Sequence, residues 1–168
     1  KYEKKYDLIL IDLEQEEQIL RLKNIFNKKK ILCIFKKNST KNKVTKNLFH
    51  LGFDSISENS IRFDQNNFLE CNKIFKIFNE TLKISKKYKI NYFFLICKIF
   101  VSIFRNSSTF KVFNSKFLLI DRFYSSCAIR DFYFKKYDGK ISMSTQKSLL
   151  ETSLTKYSSF DVLFTLGK

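Results

Sequence analysis

Three sets of side chains in this sequence could carry chemistry. The single histidine, His50, sits in Leu48-Phe49-His50-Leu51. Imidazole titrates near neutral pH and suits general-base work. No nucleophile–base pairing is readable around it, so we take it as structural. Asp7, Asp12, Glu14 and Glu16 gather at the end of the first apolar run. Carboxylates so placed could hold a metal ion, or Asp12 could accept a phosphoryl group. The same acids also suit the start of a helix, where they complement its dipole, and we read them that way. The third set is cationic: Lys36, Lys37, Lys41, Lys43 and Lys46, with Asn38, Ser39, Thr40 and Asn42 between them. Such donors hydrogen-bond phosphate and sugar oxygens.

Other sites are not expected. Cys33, Cys71, Cys97 and Cys127 are far apart and form no Cys-x-x-Cys pair, the spacing that favours zinc. Most sit in apolar surroundings and read as small core residues. Three glycines cannot build a dinucleotide fingerprint or a phosphate loop. We expect no enzyme, no cofactor and no metal.

Elements must position the cationic set. Tyr6 to Leu13 is a short apolar run and predicts a buried parallel strand. Glu14 to Phe26 has helical periodicity, with acids in its first turn. Ile31 to Phe35 predicts a second buried strand, and Lys36 to Lys46 a loop at its carboxyl end. Ligands of open α/β sheets bind at that edge. A third strand is expected around Phe53 to Ile56. Asp64 could cap a helix carrying the stripe Phe68, Cys71, Phe75, Phe78 and Leu82. Lys83 to Lys89 reads as a basic link. Residues 90–104 are strongly apolar but interrupted by Lys98, and too short for the roughly 20 residues of a membrane span. A buried helix or long core strand is expected there. Phe110 to Ile120 looks strand-like, Ile129 to Phe134 alternates weakly, and Asp138-Gly139 signals a hairpin. Thr145 to Tyr157 predicts a short helix and Phe160 to Thr165 a last strand. The alternation implies an α/β three-layer sandwich with a mainly parallel central sheet.

Length and charge bound the partner. The chain has 168 residues and a formal charge of +16, from 32 basic and 16 acidic residues. That length suits one domain, and that charge a polyanionic partner. There are 20 Phe but no Trp and no Pro. Only Arg21, Arg62, Arg105, Arg122 and Arg130 are arginine. Lys, Asn, Ile, Phe and Tyr use AT-rich codons, which implies an AT-biased genome such as an organelle's. Codon bias explains part of the lysine excess, not the two-to-one ratio of basic to acidic residues. Lys83, Lys86, Lys87 and Lys89 form a second basic cluster, and Lys135 and Lys136 a third. Separated clusters suit a protein embedded in nucleic acid, bound through backbone and shape. The opening residues read as neither a signal nor a transit peptide.

Two families share features with this chain. Residues 8–40 resemble a segment of the small-subunit ribosomal protein two family. The matching features are Leu10-Ile11-Asp12, Glu16, the helix to Phe26, the strand Ile31 to Phe35, and Lys36-Lys37-Asn38-Ser39-Thr40. Ile56-Ser57-Glu58-Asn59-Ser60-Ile61-Arg62 is similar to the family's next landmark, without its Pro and second acid. Tyr133 to Gly139, Lys140 to Met143, Gln146-Lys147 and Leu163 to Lys168 are similar to the family's amino-side segment, which here follows instead of preceding. Residues 1–89 would then correspond to the family's carboxyl-side half. Residues 90–168 would be an extension plus the amino-side half, the whole forming one compact domain. The family's helical-hairpin insertion and aromatic loop are missing from the matched segments.

The resemblance implies a Rossmann-like α/β domain in the small subunit of a mitochondrial or other organellar ribosome. It would bind ribosomal RNA and neighbouring ribosomal proteins. Its expected RNA contacts are Lys36, Lys37, Asn38, Lys41, Lys43, Lys46, Arg62, Lys86, Lys87, Lys135 and Lys136. Separately, Asp7 to Leu13 followed by Leu51-Gly52-Phe53-Asp54 looks like a response-regulator receiver domain with Asp12 as phosphoacceptor. That family carries a Lys where this chain has Ser57-Glu58-Asn59. A third expectation is an accessory subunit of an organellar membrane complex, with residues 90–104 against lipid or an apolar partner.

Overall fold

Strand β1 (Lys4–Ile11) begins charged and exposed and ends in four buried residues, Leu8 to Ile11. Strand β2 (Ile31–Phe35) is buried along its whole length. Strands apolar at every position can only be covered on both faces, which is the environment of a parallel sheet. The computed structural model describes residues 4–11, 29–36, 52–61, 68–120, 128–145 and 159–164.

The further elements are β3 (Asp54–Ser57), a 3-10 turn at Glu58–Ser60, α1 (Phe68–Tyr88), α2 (Phe93–Val112), β4 (Phe113–Ile120), α3 (Ala128–Lys136), β5 (Ile141–Thr145) and β6 (Val162–Phe164). The six strands among the described residues are all parallel, in the order β3-β2-β1-β4-β5-β6. The register runs Leu8 beside Ile31 to Ile11 beside Ile34, and Lys4 beside Phe113 to Ile11 beside Ile120. The chain builds outward from β1 to β3, then crosses to β4 on the other side of β1. This is the doubly wound order, reversing between β1 and β4. The chain therefore has a Rossmann-like α/β fold.

Alternate residues of each strand face opposite sides. Leu8, Leu10, Cys33, Phe35, Phe53 and Leu119 form one buried cluster. Ile9, Ile11, Leu32, Ile34, Leu118 and Ile120 form the other, with Phe110 of α2 and Phe134 of α3 packed on them. Those two rings meet edge to face, centroids 5.5 Å apart.

Several expectations need correction. The basic stretch Lys83 to Lys89 is not a link, because α1 runs through it to Tyr88. Lysine is a good helix former, and nothing in the stretch breaks a helix. The stripe on α1 is exposed at two of its described positions. Phe75 is 64% exposed, and Leu82 is exposed as well. Phe78 packs on Phe93 and Phe100 of α2 at 5.9 and 6.3 Å. Residues 90–104 lie mostly within α2, but Phe93, Phe94, Leu95, Ile99 and Val101 are exposed there, and Ile96 is buried.

The strand expected from Phe110 begins at Phe113, since α2 continues to Val112 and passes into β4 with no loop. Phe110 suits a helix or a strand equally, so its type does not mark the boundary. Ile129 to Phe134 is helix, and Asp138-Gly139 makes no hairpin. Asp138 is left-handed (φ 67°), and the Gly139 N–H donates to the Phe134 carbonyl at 2.9 Å, closing α3. Asp-Gly supplies turn geometry to a helix end as readily as to a hairpin. The helix expected from Glu14 to Phe26, the Asp64 cap and residues 146–157 lie outside the described residues.

Candidate functional site

The carboxyl ends of β2 and β3 deliver Lys36 and Glu58 to one edge of the sheet. Ser57 caps the 3-10 turn: its Oγ accepts from the Asn59 N–H at 3.4 Å, and its carbonyl accepts from the Ser60 hydroxyl at 2.7 Å. Glu58 is thereby fixed and 8% exposed. Its Oε2 accepts from Arg105 Nη1 of α2 at 3.2 Å, and its Oε1 from Arg130 Nη2 of α3 at 3.4 Å. Arg130 Nε also donates to Asn106 Oδ1 at 3.3 Å. Asn106 in turn donates to the Ser102 carbonyl at 2.7 Å. A buried carboxylate needs such partners, because its desolvation is otherwise uncompensated.

These residues wall a cleft of about 460 Å³, lined also by Phe94, Lys98 and Val101. Phe94, Lys98, Val101 and Arg105 follow spacings of three and four, which places them on one side of α2. Lys98 Nζ lies 4.6 Å from the Phe94 ring centroid. The Arg105 side chain is 36% exposed, whereas that of Arg130 is buried. Lys36, Lys98, Arg105 and Arg130 all line the cleft, against the one carboxylate of Glu58, which pairs with the two arginines. The cleft is thus cationic, with an aromatic ring on its wall, and it suits an anion joined to an apolar or planar group.

A second basic rim lies at the opposite, amino edge. Lys5, Lys30, Lys116 and Lys140 surround a hollow with Asp7, Asn114 and Asp138. Lys4 lies beside it, in a hollow shared with Tyr6 and Asp54. The Tyr6 hydroxyl donates to Asp54 Oδ2 at 2.6 Å, and Asp7 Oδ2 accepts from the Lys30 N–H at 2.8 Å. Burial, with help from Asp54, pushes the Tyr6 phenol well above its ordinary range, so it stays neutral. Burial likewise pushes the Cys33 thiol up to about 12, which leaves it inert as a nucleophile. Among the described residues no group of three His, Cys, Asp or Glu could hold a metal ion.

Of the expected RNA contacts, Lys36 lines the cleft. Lys86 borders a groove of about 560 Å³ on α1 with Lys76, Glu80 and Lys83. Lys87 Nζ sits 5.3 Å from the Tyr88 ring centroid, and Lys136 Nζ 5.3 Å from that of Tyr133. Lys135 is engaged within the domain, 2.7 Å from Asp161 and 3.2 Å from Asp131. The Asp161 hydrogen bond, with help from Asp131, raises its pKa despite partial burial. Lys37, Asn38, Lys41, Lys43, Lys46, Arg62, Asp12 and His50 lie outside the described residues.

Sequence reasoning missed Lys98, Glu58, Arg105 and Arg130. One signal was available. In a chain whose default cation is lysine, an arginine marks a place where a planar fork is used. Two of its five arginines meet at Glu58.

Fold and cleft together define a Rossmann-like α/β domain with a cationic carboxyl edge. No known family model matches the chain, and neither a curated protein nor a solved structure is similar enough to register as a match.

Proposed function

We propose that this chain is a structural constituent of the small subunit of a mitochondrial or similar organellar ribosome. It holds ribosomal RNA by its phosphate backbone and touches neighbouring ribosomal proteins. The observation that carries the reading is the cleft at the carboxyl edge, lined by four cations, Lys36, Lys98, Arg105 and Arg130, against one carboxylate. The basic rim at the amino edge adds a second contact surface. Charge at both edges suits a domain embedded in RNA better than a reader of one groove. The motif resemblance and the AT-rich codon usage point to the same setting.

The test is RNA binding by the full chain as salt is raised. Log K should fall linearly with log salt, with a slope near −0.9 for each phosphate contact on a duplex. Salt-insensitive association, with no RNA in the particle that carries the chain, defeats the reading.

One observation favours a second reading, an accessory subunit of an organellar membrane complex. Helix α2 is long and apolar enough to cross a membrane, with mean hydropathy 1.3, and a third of that window is buried in the domain. Its buried carboxyl half, Asn106 to Phe110, packs on the sheet and favours a core helix instead. Co-sedimentation separates the two readings: small ribosomal subunits for the first, the respiratory membrane fraction for the second.

A further inference from the structure

We infer that the cleft between α2 and the carboxyl edge of the sheet is a site for one unpaired nucleotide, with the phosphate on Arg105 and Lys98 and the base stacked on Phe94. The inference rests on the RNA-binding reading and sharpens it, from backbone contact to a single-stranded site.

Three observations support it. The first is the aromatic ring. Phe94 is 68% exposed, the most exposed large apolar side chain among the described residues, yet it belongs to the wall of a cationic cleft. An exposed ring beside cations matches the platform on which bases stack in single-strand binding, where every base offers a π-face. The second is geometry along the helix. Phe94, Lys98 and Arg105 follow one another on one side of α2, so an apolar platform and two phosphate donors share a single rigid element. The third is the anchoring of Arg105. It spends Nη1 on Glu58 and keeps over a third of its side chain exposed. A guanidinium carries five donors in a fixed fork. A fork fixed on one side by a buried carboxylate is pre-organised for a phosphate on the other. The cleft, about 460 Å³, is of ligand-site size. A duplex would keep its bases stacked inside and leave the Phe94 ring without its partner.

The test uses the full chain with two RNAs: a single-stranded oligouridylate and a duplex, each about twelve nucleotides long, within the range of known single-strand sites. Phe94→Ala should weaken single-strand binding by about tenfold and leave duplex binding unchanged. Phe94→Trp should keep the affinity. Since the chain has no tryptophan of its own, that indole is a sole reporter, and its fluorescence should be quenched as the oligomer binds. Lys98→Gln, a change at the surface, should reduce the salt slope on the single strand by about 0.7. Uridine monophosphate at the same nucleotide concentration should quench the indole less than the oligomer does. Equal or stronger quenching by the monophosphate would assign the cleft to a free nucleotide and overturn the RNA site. If both RNAs bind while Phe94→Ala matches the parent and the indole is not quenched, the nucleotide site is wrong and the RNA-binding reading stands. If neither RNA binds, both fall together.

Discussion

The carboxyl half of α2 packs into the sheet, whereas its amino half stands beside α1 with Phe93, Phe94, Leu95, Ile99 and Val101 exposed. Both halves draw on the same residue types, Phe, Ile, Val, Ser and Lys. What differs is what they meet. Phe110 is 1% exposed against Phe134, while Phe75 on α1 is 64% exposed. Phenylalanine abundance therefore does not report a core in a chain of this composition. The topology decides which rings are covered: Phe75, Phe93 and Phe94 on α1 and α2 are exposed, as are Phe132 on α3 and Phe164 on β6.

The contrast can be broken by truncating a ring on each side. Phe110→Ala should cost about 4 kcal/mol by leaving a cavity under α3. Phe75→Ala should change stability by less than about 0.5 kcal/mol. Urea unfolding of the two variants measures the gap, and equal losses would mean the arm of α1 and α2 is as tightly packed as the sheet.

The next effect lies at the cleft. Glu58→Gln leaves the buried Arg130 without its carboxylate and should cost about 3 kcal/mol, as when one partner of a buried pair is removed. Thermal melts check it, and a loss under about 1 kcal/mol would mean that the pair behaves like a surface bridge.

A smaller effect is expected at the end of α3. A Cβ on Gly139 would fall 2.5 Å from the Phe134 ring. Gly139→Ala should therefore destabilise by about 2 kcal/mol through overpacking. Phe134→Leu in the same background, by making room, should recover part of the loss.

The smallest effect depends on pH. Burial works against the Asp161 carboxylate, but hydrogen bonds from Lys135 and from the Ser142 N–H and hydroxyl hold its pKa below the ordinary carboxylate range. Its contribution is present above the ordinary value and is lost as pH falls through the lowered one. Asp161→Asn should thus cost about 1 kcal/mol at neutral pH. The deficit should shrink as pH falls below about 4. Denaturant midpoints for both proteins across the acid range would show it, and a deficit constant with pH would remove the carboxylate charge as its cause.

The elements legible in the sequence were those with one possible environment. Leu8 to Ile11 and Ile31 to Phe35 are apolar at every position, and only a parallel strand covered on both faces accommodates that. The α/β architecture followed from them. The segments misread were those whose pattern serves two structures. Ile129 to Phe134 alternates weakly yet also repeats helically, and Asp138-Gly139 closes a helix here instead of turning a hairpin. The cleft was illegible for another reason. Lys36, Glu58, Arg105 and Arg130 come from four separate elements, and only the topology brings them together. Its local traces were the two arginines in a lysine-rich chain and the spacing of Phe94, Lys98 and Arg105 on α2.

The pairing of β1 with β4 sets the order in which the molecule can be made. Lys4 aligns with Phe113, roughly a hundred residues further along the chain. During synthesis at about 5–20 residues per second, one side of β1 waits on the order of ten seconds for its partner. Leu8 to Ile11 are the most apolar part of that waiting edge. An open apolar strand is a template for another chain. The central position of β1, which covers Leu8 to Ile11 on both sides in the finished sheet, also leaves one of its edges open for longest during biogenesis. A chain of this topology benefits from a chaperone before residue 113 has emerged.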